Sequence, residues 1–149
     1  MKAHAESTYP EECCGLMLGR VEQDDRILIE LHPVQNSWDH EIADDLQDTS
    51  SFTQTRRYAI APEEMLKVMQ DARHRRLDII GIYHSHPDHS AVPSDCDRRL
   101  AWQHYSYSII SVQQGKAREF YSWRLDADHQ FQPEALTILP TTLDSVCPH

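Results

Sequence analysis

The sequence is short of positive charge: 14 Lys and Arg stand against 24 Asp and Glu, a formal net charge of −10 at pH 7. Nucleic-acid backbones and anionic membranes are bound through clustered Lys and Arg, so neither is expected as a partner. Long apolar runs are missing as well. No stretch approaches the roughly 18 residues of a spanning helix, and the opening "MKAHAESTYP" lacks the apolar core of a secretory signal. These absences predict a soluble, cytoplasmic protein. A disulfide framework is also absent: of four cysteines, Cys13 and Cys14 are neighbours, Cys96 lies in a histidine-rich stretch and Cys147 is near the end. That spacing builds neither a disulfide scaffold nor a zinc finger, and Cys13, Cys14 and Cys96 read as small buried residues. Internal repeats and low-complexity tracts are lacking too, and 149 residues suffice for one domain with a core of its own.

What is present alternates between helix and strand patterns. "MKAHAEST" is a short helix that must stop before Pro10. "CCGLMLGRV" and "RILIELHPV" are two strands of a hairpin turned by "EQDD". Residues 36–57 carry scattered apolar residues and no sustained period, which predicts a long loop, of a kind that often serves as a lid. Pro62 suits a first helical position, Glu63 and Glu64 favour the positive end of the macrodipole, and Met65, Val68, Met69 and Ala72 recur with helical spacing. "LDIIGIYHS" reads as a central strand, "SDCDRRLAWQH" as a helix, and "YSYSIISVQ" with "AREFYSWRL" as a hairpin across Gly115. The sum is an α/β fold, a mixed β-sheet with flanking helices over residues 1–125. A tail over 126–149 follows, partly packed on the domain, with a possible short element at "EALTIL".

The chemistry concentrates where the central strand ends, in "HSHPDHSAVPSDCD". His84 and His86 are two apart, so on an extended segment both imidazoles face one side. Ser94 and Asp97 open the next helix and can return a carboxylate toward them. Two imidazoles and one carboxylate leave a fourth position open, as in a catalytic zinc site. The same residues are also what an ordinary helix start wants: Ser at the N-cap, acids in the first turn, and Ser-x-x-Asp resembling a capping box. His89 and His104 have no ligand spacing. Two histidines and a carboxylate also occur in iron oxygenases, and His-x-His opens amidohydrolase barrels. The barrel needs around 250 residues, and the alternating helices disfavour the oxygenase scaffold.

The stretch resembles the JAMM motif of MPN-type metallopeptidases: His-x-His-Pro, six residues, then Ser-x-x-Asp. That family also carries an upstream glutamate, and "YPEECCGLMLG" offers Glu12 in a Glu-x-Cys-Gly register, with Glu11 facing the other way. The resemblance implies a single-domain MPN fold, from which this chain departs in having only eight residues before Tyr9 where relatives generally have a longer first helix. It implies that His84, His86 and Asp97 bind one Zn²⁺ per chain, with water in the fourth position. Glu12 would be the general base and Ser94 the donor to the oxyanion. The compact form looks most like bacterial JAMM proteins acting on ubiquitin-like sulfur-carrier proteins, which implies peptide or isopeptide hydrolysis after a C-terminal Gly-Gly. The rival expectation is a catalytically silent MPN scaffold or protein-binding module.

Overall fold

The computed structural model describes residues 1–38 and 57–140. Its elements run α1 (Lys2–Thr8), β1 (Cys14–Glu22), β2 (Asp25–Val34), α2 (Pro62–His74), β3 (Asp78–Pro87), α3 (Asp95–Leu100), β4 (Ser106–Gln113), β5 (Lys116–Leu125) and β6 (Phe131–Glu134). The six strands form one sheet in the order β2-β1-β3-β4-β5-β6. Only β3 and β4 run parallel; the other neighbours are antiparallel, so the sheet is mixed. The parallel pair requires a crossover, and α3 lies in it.

Strand alternation sorts the core into two layers. Cys14, Leu16, Ile82, Tyr107 and Leu125 pack with Val68 and Ala72 of α2 and with Ala101. Cys13, Met17, Tyr83, Ile110 and Val112 pack on the other side with Ala5 of α1, Met1 and Tyr9. In α2 the inward pair is Val68 and Ala72, while Met69 of the same helical series is exposed. Gly15 has a steric reason to be glycine, because a Cβ there would run into the ring of Tyr83. Tyr83 is fully buried and its hydroxyl meets His4 Nδ1 at 2.9 Å, so the ring has little room to yield.

The hairpin across Gly115 turns through Gln114 and Gly115, both at positive φ, 50° and 79°. That pair of left-handed residues matches the twist of the strands it joins. Two elements depart from the sequence reading. The helix expected over "SDCDRRLAWQH" stops at Leu100, where Ala101 is extended at φ −76° and ψ 149°. The Trp102 N–H donates instead to the Tyr107 hydroxyl at 2.7 Å, which turns the chain toward β4. The short element expected at "EALTIL" lies earlier, as β6, pairing Phe131 with Leu125 and Pro133 with Trp123. Glu134 fixes that strand by accepting from Ser122 Oγ at 2.8 Å and Ser106 Oγ at 3.0 Å. Of the loop expected over 36–57, residues 39–56 lie outside the described residues.

Candidate metal centre

The centre is built on the end of β3. Alternation puts Ile82, His84 and His86 on the α2 and α3 side of the sheet and Tyr83 and Ser85 on the α1 side. Cys14 of β1 stands opposite His84, and the register continues past the strand, where Ser85 N donates to the Cys13 carbonyl at 3.1 Å and Cys13 N donates to Ser85 Oγ at 2.8 Å. Glu12 is thereby carried alongside the two histidines. It is 6% exposed, whereas Glu11 is exposed, as alternation predicts.

Asp97 reaches the histidines from α3. The Nε2 atoms of His84 and His86 are 3.1 Å apart. Asp97 Oδ1 lies 3.3 Å from His84 Nε2, and Oδ2 lies 3.3 Å from His86 Nε2. Both expectations for the helix start hold together. Ser94 Oγ accepts from Asp97 N at 3.1 Å, and Asp97 Oδ2 accepts from Ser94 N at 2.7 Å, a complete capping box. The cap therefore presents the carboxylate to the two rings and leaves the Ser94 O–H proton available to donate.

The loop between the histidines and Ser94 is pinned on several sides. Ser111 Oγ donates to the His89 carbonyl at 2.6 Å, Glu119 Oε2 accepts from Ala91 N at 3.1 Å, and Trp123 Nε1 donates to the Ala91 carbonyl at 3.0 Å. His86 Nδ1 meets the Ser90 carbonyl at 2.8 Å. A carbonyl only accepts, so Nδ1 carries the proton and the neutral ring turns the Nε2 lone pair toward Asp97 and His84.

Burial lowers the His84 imidazole pKa, with Asp97 recovering part of the loss. Burial acts the same way on His86, but the hydrogen bond and charge of Asp97, helped by Glu12 and the Ser90 carbonyl, outweigh it and raise the ring. Burial also penalises the Asp97 anion, yet the two histidines hold that carboxyl well below the usual range. The ionised carboxylate and the His84 ring, whose burial favours the neutral form, are in the donor state that a divalent cation needs, and His86 gives up any Nε2 proton on binding one.

His84, His86 and Asp97 form a group that can hold a metal ion, with one ligand atom from each lying within 4.8 Å of the others. The two Nε2 atoms are 3.1 Å apart, and each faces a different Asp97 oxygen at 3.3 Å. Two imidazoles and a carboxylate are a donor set that zinc accepts, and donors about 2.0–2.1 Å from a tetrahedral centre stand about 3.3–3.4 Å apart. Of the remaining histidines in this region, His89 is exposed and belongs to no such group among the described residues.

Two contributors escaped the sequence reading. Tyr58 stacks on His84 with ring centroids 4.4 Å apart and planes 24° from parallel. Asn36 ties the backbone of Glu12 to that of residues 38, 57 and 59. Apart from the Trp38 N–H, their partners here stand 21 or more positions away, so little in the local sequence announces them.

The chain is similar to known proteins in sequence and in structure. The chain is 33% identical over 104 residues to a protein named desampylase from Haloferax volcanii, an alignment covering 68% of this chain and 63% of that protein, less than two thirds of the relative's length. A Desulfitobacterium hafniense protein solved in solution superposes with a TM-score of 0.68 at 30% identity, covering 89% of this chain and 81% of the other. A JAB1/MPN domain protein from Archaeoglobus fulgidus shares the fold, with a TM-score of 0.53 at 15% identity over 93% of this chain and 89% of the other. The family of prokaryotic homologues of the JAB domain matches residues 1–126. With the mixed sheet and the His-x-His-Pro and Ser-x-x-Asp residues in place, the chain belongs to this JAMM/MPN-type family.

Proposed function

We propose that the protein is a zinc-dependent peptidase or isopeptidase that hydrolyses the bond after the C-terminal Gly-Gly of a ubiquitin-like sulfur-carrier protein. The observation that carries this reading is the convergence of His84, His86 and Asp97 beside the buried Glu12. The kinship with a protein named desampylase supports a ubiquitin-like adduct as the substrate class. The intact ligand set also weighs against the silent scaffold, since loss of a single ligand is enough to weaken such a site severely.

His84, His86 and Asp97 would hold the zinc, which when bound lowers the pKa of water to about 7 and polarises the scissile carbonyl. Glu12 takes a proton from the attacking water, whose oxygen bonds to the carbonyl carbon. The Ser94 hydroxyl donates to the carbonyl oxygen as negative charge grows there, and a donor aimed at that charge stabilises the transition state more than the ground state. The carbon–nitrogen bond then breaks, and Glu12 returns its proton to the leaving amine. A Gly-Gly tail has no side chains to clash in a narrow cleft and can pair as an extended strand.

The test is a ubiquitin-like carrier whose terminal Gly-Gly is amide-linked to a reporter peptide. Cleavage after Gly-Gly that disappears on chelation and returns with zinc is the expected result. A zinc-loaded protein that leaves the probe intact would refute the reading.

A further inference from the structure

One side chain joins three segments around the centre. Asn36 Nδ2 donates to the carbonyls of Arg57 at 2.9 Å and Glu12 at 3.2 Å, and Asn36 Oδ1 accepts from the N–H groups of Trp38 at 3.0 Å and Ala59 at 3.2 Å. Two carbonyls and two amides leave the orientation of the amide group no choice, and both of its N–H groups and both of its lone pairs are engaged. The main chain adds a bond at the same place, Ser37 N to the Ala59 carbonyl at 2.9 Å.

The network ends on two groups of the centre, the backbone of Glu12 and, through Tyr58, the ring of His84. His86 is oriented by the Ser90 carbonyl, but His84 Nδ1 is buried with no hydrogen-bond partner among the described residues. A ligating histidine ordinarily donates that N–H to a fixed acceptor, which sets the ring. Here the flat face of Tyr58 lies on the ring instead. Tyr58 sits between Arg57 and Ala59, whose carbonyl and N–H both bond to Asn36. Glu12 precedes β1, and beyond the Cys13 to Ser85 bonds its backbone is held by the Asn36 amide.

We propose that Asn36 is a positioning residue for the metal centre. Through the Glu12 carbonyl it fixes the stem from which the carboxylate projects, and through Ala59 it keeps Tyr58 flat against His84. This rests on Glu12 as the base and His84 as a ligand, so it deepens the functional reading above.

The donor and acceptor sides of the amide separate in substitution. Asn36→Asp keeps the acceptor for Trp38 and Ala59 and loses the donations to Glu12 and Arg57, whereas Asn36→Ala loses all four. Zinc affinity is read by competition with a chromophoric chelator, and turnover with the Gly-Gly reporter probe. Asn36→Asp should bind zinc within about twofold of wild type while kcat falls about tenfold or more at nearly unchanged KM. Asn36→Ala should in addition lose about tenfold in zinc affinity. Tyr58→Leu should match that zinc loss, Tyr58→Phe should restore it, and adding Asn36→Ala to Tyr58→Leu should cost nothing further. Amide exchange at Leu16 and Ile109 should keep wild-type rates in every variant, which excludes general loosening of the sheet.

Wild-type zinc affinity in Asn36→Ala, full additivity in the double variant, or faster exchange at Leu16 and Ile109 would overturn the proposal. If wild type cleaves no Gly-Gly probe, the functional reading fails while the chelator competition still decides the role of Asn36.

Discussion

Ser94 and Asp97 bond reciprocally: Asp97 Oδ2 accepts from Ser94 N at 2.7 Å, and Ser94 Oγ accepts from Asp97 N at 3.1 Å. The helix cap and the carboxylate arm of the candidate metal centre are thus one arrangement. Ser94→Ala removes one of these bonds, and loss of a cap of this kind costs about 1 kcal/mol of stability. Loss of an oxyanion donor costs far more in rate, about 10²–10³ in kcat. Ser94→Ala should therefore melt only slightly below wild type yet turn over the Gly-Gly probe about a hundredfold or more slowly. A rate loss no larger than the cap accounts for would reduce Ser94 to a structural role.

Glu12→Gln should separate binding from chemistry. The amide keeps the shape of a side chain that is 6% exposed but cannot take the proton of water. Zinc content should stay at the wild-type level while hydrolysis falls by about 10²–10⁴, the usual contribution of a general base. Normal turnover in the variant would remove Glu12 from the mechanism.

Much of this was legible in the sequence, and the reasons lie in particular residues. The two-residue spacing of His84 and His86 places them on one face because β3 alternates, and the Ser94 to Asp97 spacing is that of a helix cap. The capping and ligand readings compete because one geometry closes the cap and also brings the Asp97 carboxylate to the two imidazoles. Asn36 and Tyr58 were illegible for the opposite reason. The described bonds of the Asn36 amide run to main-chain groups of Glu12, Trp38, Arg57 and Ala59, which any residue type supplies. Tyr58 meets its partner 26 positions along the chain, with no periodic pattern to announce it. Strand β6 escaped because "FQPE" has one large apolar residue and a proline, and its docking depends on Glu134 reaching Ser106 and Ser122.

Gly15 tests the close approach of β1 to Tyr83. Gly15→Ala should cost about 1–3 kcal/mol, the usual range for overpacking a well-filled site. For a chain of this size each 1 kcal/mol shifts the melting temperature by about 2–4 °C. A thermal melt at or above the wild-type value would show that the ring moves aside freely.

Acid should loosen the turn between β5 and β6. Asp126 Oδ1 accepts from the Gln130 and Asp128 backbone N–H groups, each at 2.9 Å, and Oδ2 accepts from Gln132 Nε2 at 2.9 Å. The Gln130 N–H is the largest cause of its depressed pKa, followed by the Gln132 side chain. A carboxyl depressed by folding stabilises fully above its unfolded value, about 3.9, and loses that contribution as pH falls through the folded value. The stability difference between wild type and Asp126→Ala should thus be largest near neutrality and shrink below about pH 4. A difference that persists or grows in acid would contradict this sign.

The central claim is that His84, His86 and Asp97 hold zinc. It is tested most directly by metal analysis of the purified protein, as isolated and after chelation and refilling, beside His84→Ala. One zinc per chain in wild type and none retained by His84→Ala is the result this account predicts. A wild-type protein that takes up no zinc on refilling, or a His84→Ala protein that still binds one per chain, would contradict it.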